Sequence, residues 1–270
     1  SDAIVLVTTT AIGPWDIQGF LSTNRSTLIP GGEFAGIVVE TGEAVSHVEI
    51  DDLVVNTVQH VGKNGITDLF GSNALPGGHA EYVRVPDADK SLTKISASGE
   101  ERAVLAGGTA GLGLGVAEMA LRSVKDGCYA VIGCDPIGMT ALIALEAAGA
   151  RSRTIAVEEH NARRTLAARF ASETFSTNEC LRNTNVDVVI IGATINATAF
   201  NKIANLVKPD GSLIFSEPYG PVKLMESGIT LPENVLVSGS KWPDATEAKR
   251  VVTSMQIKKL DLTPVVSHVI

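Results

Sequence analysis

Between Tyr129 and Glu159 the chain sets out an apolar run, a glycine, a helical pattern and a second apolar run that ends on acids, an order few folds accommodate. Tyr129-Ala-Val-Ile132 is apolar at every position, as in a strand buried on both faces of a parallel sheet. It meets Gly133 and passes straight into Ile137 to Ala150, whose apolar spacing is that of a helix. Gly149-Ala-Arg-Ser-Arg153 then leads into Thr154-Ile-Ala-Val157, which closes on Glu158 and Glu159. Strand, turn, helix and strand in this order form a βαβ unit, with parallel strands and a covering helix.

A βαβ unit that binds a dinucleotide carries three glycines in its first turn: one for the tight turn, one for close approach of the pyrophosphate, one for packing helix on strand. Gly133 and Gly138 fill the outer places, and Asp135 stands where the middle glycine belongs. Gly133, Asp135, Pro136, Ile137 and Gly138 are therefore the candidate cofactor-binding residues of the turn. A carboxylate about 5 Å from a pyrophosphate charge costs roughly 3 kcal/mol at an effective dielectric of about 20, on the order of a hundredfold in affinity. The alternative reading of Asp135 is an N-cap of the following helix, and the two roles are compatible. Glu158 ends the second strand, the place of the acid that holds the adenosine ribose hydroxyls. In that role it favours NAD, because a carboxylate repels a 2′-phosphate. Arg163 and Arg164 keep NADP open, and a surface acid at a strand end is the plain alternative for Glu158.

Upstream, residues 1–97 read as a small β barrel or sandwich. Ala3-Ile-Val-Leu-Val7, Ala35-Gly-Ile-Val-Val39, Leu53-Val-Val55 and Ala80 to Val85 are short apolar or alternating segments between Gly, Pro, Asn and Asp turns. Ser1 opens almost inside a strand, which suggests that residues precede it. Glu100 to Ser123 is helical in pattern, although Gly107, Gly108, Gly111, Gly113 and Gly115 make it a poor helix by propensity. Such glycines permit close backbone contact, either with a ligand or at a tight helix–sheet junction. Strands over 186–191, 212–216 and 234–238 then alternate with helices over 162–170, 197–207 and 245–255, with Lys208-Pro-Asp-Gly211 as a turn. The expected organisation is a barrel domain over 1–97, completed by an extended tail over 261–270, and a doubly wound parallel-sheet domain over 98–260.

The 44% apolar and 19% charged composition fits a compact chain rather than a disordered one. A formal charge of −8 argues against a nucleic-acid partner, and no apolar run reaches the length of a membrane span. The three cysteines, Cys128, Cys134 and Cys180, show no CxxC spacing, and nothing near Ser1 resembles a signal peptide. A cytoplasmic location is the expectation. Cys134 lies in the turn, where a packed side chain is favoured over a reactive thiol.

Several motifs in this order, Pro30-Gly-Gly-Glu-Phe-Ala-Gly36, Gly77-Gly-His-Ala-Glu-Tyr-Val83, the Gly133 turn, Val186 to Ile191, Val207-Lys-Pro-Asp-Gly211 and Lys259 to Pro264, resemble the medium-chain dehydrogenase/reductase superfamily. The resemblance implies a GroES-like β barrel preceding a Rossmann domain. Within that superfamily the zinc branch carries Cys-Gly-x-Asp and Gly-His-Glu, and Ile12 and Gly32 stand at the cysteine and histidine places. No cysteine or glutamate lies in Leu105 to Leu112, where a third ligand is expected. Gly13-Pro14-Trp15-Asp16 and Pro30 to Glu33 instead resemble the quinone oxidoreductase-like branch, apart from Gly13 in place of asparagine. This resemblance implies no zinc, an NAD or NADP cofactor, and hydride transfer to a conjugated carbonyl such as a quinone, enone or enal. An alcohol dehydrogenase-like enzyme acting on an alcohol or ketone is the first alternative, and a catalytically degenerate member kept for binding or assembly is the second. By resemblance Thr109 lines the nicotinamide, Gly192 and Ala193 with Glu217 flank it, and two copies pair through the edge strand at 234–240. Asp16 and Tyr82 are candidate proton donors or substrate contacts, with a turn hydrogen bond and strand packing as their respective alternatives. Trp15 either walls the pocket or plugs the barrel.

Overall fold

The computed structural model describes residues 1–21, 29–62, 67–96, 99–179, 185–192, 200, 203, 206–216 and 231–270. The chain divides into two compact units, Ser1–Gly111 with Trp242–Lys258 and His268–Ile270, and Leu112–Lys241 with Lys259–Ser267. The division between the units falls at Gly111, and 242–258 with 268–270 joins the first unit.

The first unit takes its strands from the segments whose apolar residues alternate or cluster. These are β1 (Ala3–Thr10), β2 (Phe34–Thr41), β3 (Leu53–Asn56), β4 (Gln59–Val61), β5 (Thr67–Leu69), β6 (Tyr82–Val85) and β7 (Leu92–Lys94). Between them lie helices α1 (Pro14–Leu21) and α2 (Ala88–Ser91). Five strands form an antiparallel sheet in the order β6-β1-β2-β3-β7, and β4 pairs with β5 in a separate ribbon. Val5, Val38, Val54, Val83 and Val85 meet Phe34 and Phe70 in one core, where the two phenylalanine rings pack edge to face at 5.3 Å.

The glycine-rich stretch is two helices rather than one, α3 (Glu100–Ala103) and α4 (Thr109–Ser123), with Gly107 and Gly108 in the break. A Cβ on Gly107 would lie 1.9 Å from the Asn56 carbonyl oxygen, and one on Gly108 would lie 2.6 Å from the Glu33 carboxylate. Protein atoms, then, account for both glycines.

The second unit follows the βαβ order: β8 (Tyr129–Ile132), α5 (Pro136–Ala147), β9 (Thr154–Val157), α6 (Asn161–Ala167), β10 (Glu173–Phe175), β11 (Val186–Ile191), β12 (Val207–Phe215) and β13 (Leu236–Gly239). All six strands are parallel, in the order β10-β9-β8-β11-β12-β13. Numbered within the sheet this is 3-2-1-4-5-6, the doubly wound order, whose ligand crevice opens where strand order reverses, beside β8. Every residue of β8 is buried, as its uninterrupted apolar run requires. The expected turn at 208–211 is absorbed into β12 as an irregularity, since Val207 pairs with Val186 and Ser212 with Val188, and Asp210 takes a φ of 60°. The helix expected over 197–207 lies mostly outside the described residues. The final helix, α7 (Ala245–Gln256), belongs to the first unit and starts with a capping box: Asp244 accepts from the Thr246 and Glu247 amides, and Glu247 accepts from the Asp244 amide.

The close approach at Gly107 makes a direct prediction. Gly107→Ala should destabilise the fold by about 1–3 kcal/mol or more, because neither backbone can give way cheaply. Gly19→Ala in α1, where nothing lies within 4 Å, should be neutral or stabilising in the same thermal unfolding measurement by circular dichroism.

Candidate functional site

In the second unit the site begins where β8 ends. Gly133 has a φ of 80°, and its amide donates to the Val157 carbonyl at 2.8 Å, which ties the turn to the neighbouring strand. Gly138 faces the same turn one helical step later: a Cβ there would lie 1.9 Å from the Gly133 carbonyl oxygen. Gly192, just past β11, completes the approach, since its own Cβ would come within 2.7 Å of the Gly138 Cα. The structure therefore brings together Gly133, Gly138 and Gly192. Ala193 and Glu217 lie outside the described residues.

Asp135 is the N-cap of α5, and Pro136 takes the first helical position. One carboxylate oxygen of Asp135 accepts from the Ile137 amide at 3.1 Å and from the Gly138 amide at 3.0 Å. Burial pushes this carboxyl up to about 7, against the two amide hydrogen bonds that favour its charged form. Glu158 is also turned inward, being only 4% exposed. It accepts from the Cys134 amide, the His160 amide and the Arg163 guanidinium, each at 2.7 Å. Burial works against its ionisation, but these three donors outweigh burial and hold it below the usual glutamate range. The expected NAD preference assumed a carboxylate offered to ribose hydroxyls, whereas the one present is spent on the turn itself. Arg164, for its part, donates to the carbonyls of Glu158 and Glu159. Cys134 is buried, and desolvation together with the Glu158 and Asp135 carboxylates pushes its thiol up, which keeps it protonated and unreactive.

The first unit builds a second polar cluster. Asp16 on α1 accepts from the Gly13 and Gly31 amides, both at 2.9 Å, and so joins the 11–16 and 30–34 segments. Asn56 accepts from the Phe34 amide and donates to the Gly32 carbonyl, at 2.8 and 2.9 Å. Between these anchors Glu33 points into the interior, where its carboxylate oxygens accept from the Thr109 amide at 2.6 Å and the Thr109 hydroxyl at 2.8 Å. Burial drives the Glu33 carboxyl up to about 8, the two Thr109 hydrogen bonds oppose it, and the Asp16 charge adds to it. Trp15 packs edge to face on Trp242 at 5.5 Å. Tyr82 stands apart, 55% exposed on the edge strand β6. Sequence reasoning passed over Glu33, Asn56 and Trp242. The signal for Glu33 was an acid set directly before the apolar run Phe34 to Val39.

Residues 1–97 match the alcohol dehydrogenase GroES-like domain. Zinc-type alcohol dehydrogenase B of Aspergillus flavus is 31% identical over 53% of this chain and 38% of its own length. An L-threonine 3-dehydrogenase of Bacillus velezensis is 28% identical over 94% of this chain and 78% of its own. Among solved structures, alcohol dehydrogenase TADH from Thermus sp. ATN1 superposes with a TM-score of 0.82 at 20% identity, over 99% of this chain and 85% of that one. In sequence and in fold this chain is similar to members of the medium-chain dehydrogenase/reductase superfamily. It spans 38% and 56% of the length of the first two curated relatives it matches.

Two expectations are corrected by these relatives. The quinone oxidoreductase-like branch, and with it reduction of a conjugated carbonyl, gives way to alcohol dehydrogenases, because the superfamily members this chain resembles are named for alcohols and threonine. The zinc-free reading falls with that branch, since it was drawn from branch motifs and the Aspergillus relative is zinc-type. Locally, however, the described residues do not fit a zinc ion. Ile12 and Gly32 bring no donor atom, Asp16 and Glu33 are held by amides and by Thr109, and among the described residues no three His, Cys, Asp or Glu side chains are grouped to hold a metal.

The Glu33 environment fixes the sign of a pH effect. Its folded value of about 8 lies above the ordinary 4.5, so its contribution to stability is complete below about 4.5 and is lost as pH rises through 8. Between pH 7 and 8 wild-type unfolding free energy should fall by up to about 1.4 kcal/mol per pH unit through Glu33, with a smaller share from Asp135 as it completes its ionisation. Glu33→Gln, which cannot ionise, should lose the Glu33 share and keep only the shallower Asp135 slope in urea titrations across this range.

Proposed function

We propose that this chain is a nicotinamide-dependent oxidoreductase that interconverts an alcohol and the corresponding ketone or aldehyde. The observation that carries the reading is the Gly133 to Gly138 turn, set beside the switch point of a 3-2-1-4-5-6 sheet, in a chain whose relatives are alcohol-type dehydrogenases. When bound, the nicotinamide supplies the hydride chemistry. The chain's own share is to hold and orient. Gly133, Pro136, Ile137, Gly138 and Gly192 form the close-packed bed for the dinucleotide, with Ala193 and Glu217 as further candidates. In the GroES-like unit, the Thr109 hydroxyl backed by the Glu33 carboxyl is the group suited to hold a proton, because the pair is buried and Glu33 remains protonated near neutral pH. Asp16 acts as a positioning residue for the Gly13 and Gly31 segments, and Trp15 with Trp242 supplies apolar surface.

A homodimer through β13, the outer strand of the parallel sheet, and a cytoplasmic location complete the reading. Among the described residues no helix is long and apolar enough to cross a membrane. The second reading, a member that binds without turnover, is favoured by one observation, the Asp135 carboxylate on the α5 amides.

Incubation with NAD or NADP and a panel of secondary alcohols, diols and amino alcohols should produce reduced nicotinamide with at least one class. Cofactor binding without turnover of any alcohol, or of the matching ketones in reverse, would leave the binding-only reading.

A further inference from the structure

The amides that open α5 are already taken. Gly133 N–H goes to Val157, Cys134 N–H to Glu158, Ile137 and Gly138 N–H to the Asp135 side chain, and Met139 N–H to the Asp135 carbonyl. A diphosphate at this turn needs the Ile137 and Gly138 amides and the positive end of the helix dipole. Asp135 therefore stands on the same donors with the same sign of charge. We propose that Asp135 competes with the nucleotide diphosphate for the first amides of α5, so that a dinucleotide binds with uptake of one proton and with an affinity this residue sets.

This rests on the reading above that the turn takes a nicotinamide dinucleotide. The rest of the turn offers little to offset the charge. Among the described residues, the charged or titratable groups that act on Asp135 are Glu158 at the end of β9, Arg163 on α6 and the Cys134 thiol in the turn. Arg163 is spent on Glu158 at 2.7 Å, and the Cys134 thiol stays neutral. A neutral Asp135 removes the repulsion at the cost of a proton, and burial has already brought its carboxyl to about 7, where that cost is small. Backbone geometry adds no obstacle, because Asp135 has a φ of −66°, which any residue adopts. Both Asn and Gly are accepted N-cap residues, so replacing Asp135 by either preserves the start of α5.

The test is a fluorescence titration of the full chain with NADH and with NADPH at pH about 6, 7 and 8, for wild type, Asp135→Asn and Asp135→Gly. Wild-type Kd should be about tenfold weaker at pH 8 than at pH 6, the effect of one proton taken up around 7. Asp135→Asn should bind about equally across this range and about tenfold tighter than wild type at pH 8. Asp135→Gly, which also frees the amides, should bind at least as tightly as Asp135→Asn. A wild-type Kd that does not change with pH, or variants that bind no tighter than wild type at pH 8, would overturn the role of Asp135 and leave the dinucleotide reading intact. Failure of all three proteins to bind either cofactor at millimolar concentration would overturn that reading and the proposal together. Should Asp135→Gly lose its circular dichroism signal, Asp135→Asn alone decides between these outcomes.

Discussion

A helix that starts beneath the end of a buried strand exposes amides that must find acceptors, and in this chain the acceptors are its own carboxylates. Unsatisfied N–H groups at a buried helix start cost free energy comparable to lost hydrogen bonds. Asp135 and Glu158 meet that demand at the junction of β8, α5 and β9. The same junction holds a close backbone approach, Gly138 against Gly133 with Gly192 alongside. On the proposed reading, stability and dinucleotide binding draw on one set of amides. The Ile137 and Gly138 amides, already satisfied by the Asp135 carboxylate, resist an incoming anion on that reading.

The GroES-like unit solves a related problem with a neutral acid. Glu33 enters the interior at the first turn of a strand, and Thr109 offers it an amide and a hydroxyl but no positive charge. Ionising a carboxyl there is expensive, so the proton stays until pH passes the neutral range. Around it Asp16 and Asn56 hold Gly31, Gly32 and Phe34 by their backbone groups. Segments without regular structure are thus fixed by side chains that reach across from α1 and β3. In this chain Glu33 and Asp16 are committed to hydrogen bonds within the protein.

Much of the fold could be read in advance because periodicity and burial are linked locally. An unbroken apolar run such as Tyr129 to Ile132 has no face to show to water, so a central parallel strand follows from the run alone. The glycine-rich stretch from Glu100 was harder. Pattern gave one helix, and the break at Gly107 and Gly108 comes from the Asn56 carbonyl and the Glu33 carboxylate, both distant in sequence. Lys208 to Gly211 carried turn residues and did turn, but inside β12, because pairing with β11 resumes on both sides. Choice of branch within the superfamily was misread, since a few loop residues weigh little against similarity spread over the whole chain.

Residue order alone settled the βαβ succession, the glycine turn and the capping capacity of Asp135, because each depends on interactions within a few residues of the chain. Which amides Glu158 would claim, that Glu33 would be buried against Thr109, and that Tyr82 would face outward on an edge strand depended on folding. Those outcomes turn on dielectric surroundings and on partners far away in sequence, and a carboxylate acquires its charge state only once the elements around it have excluded water.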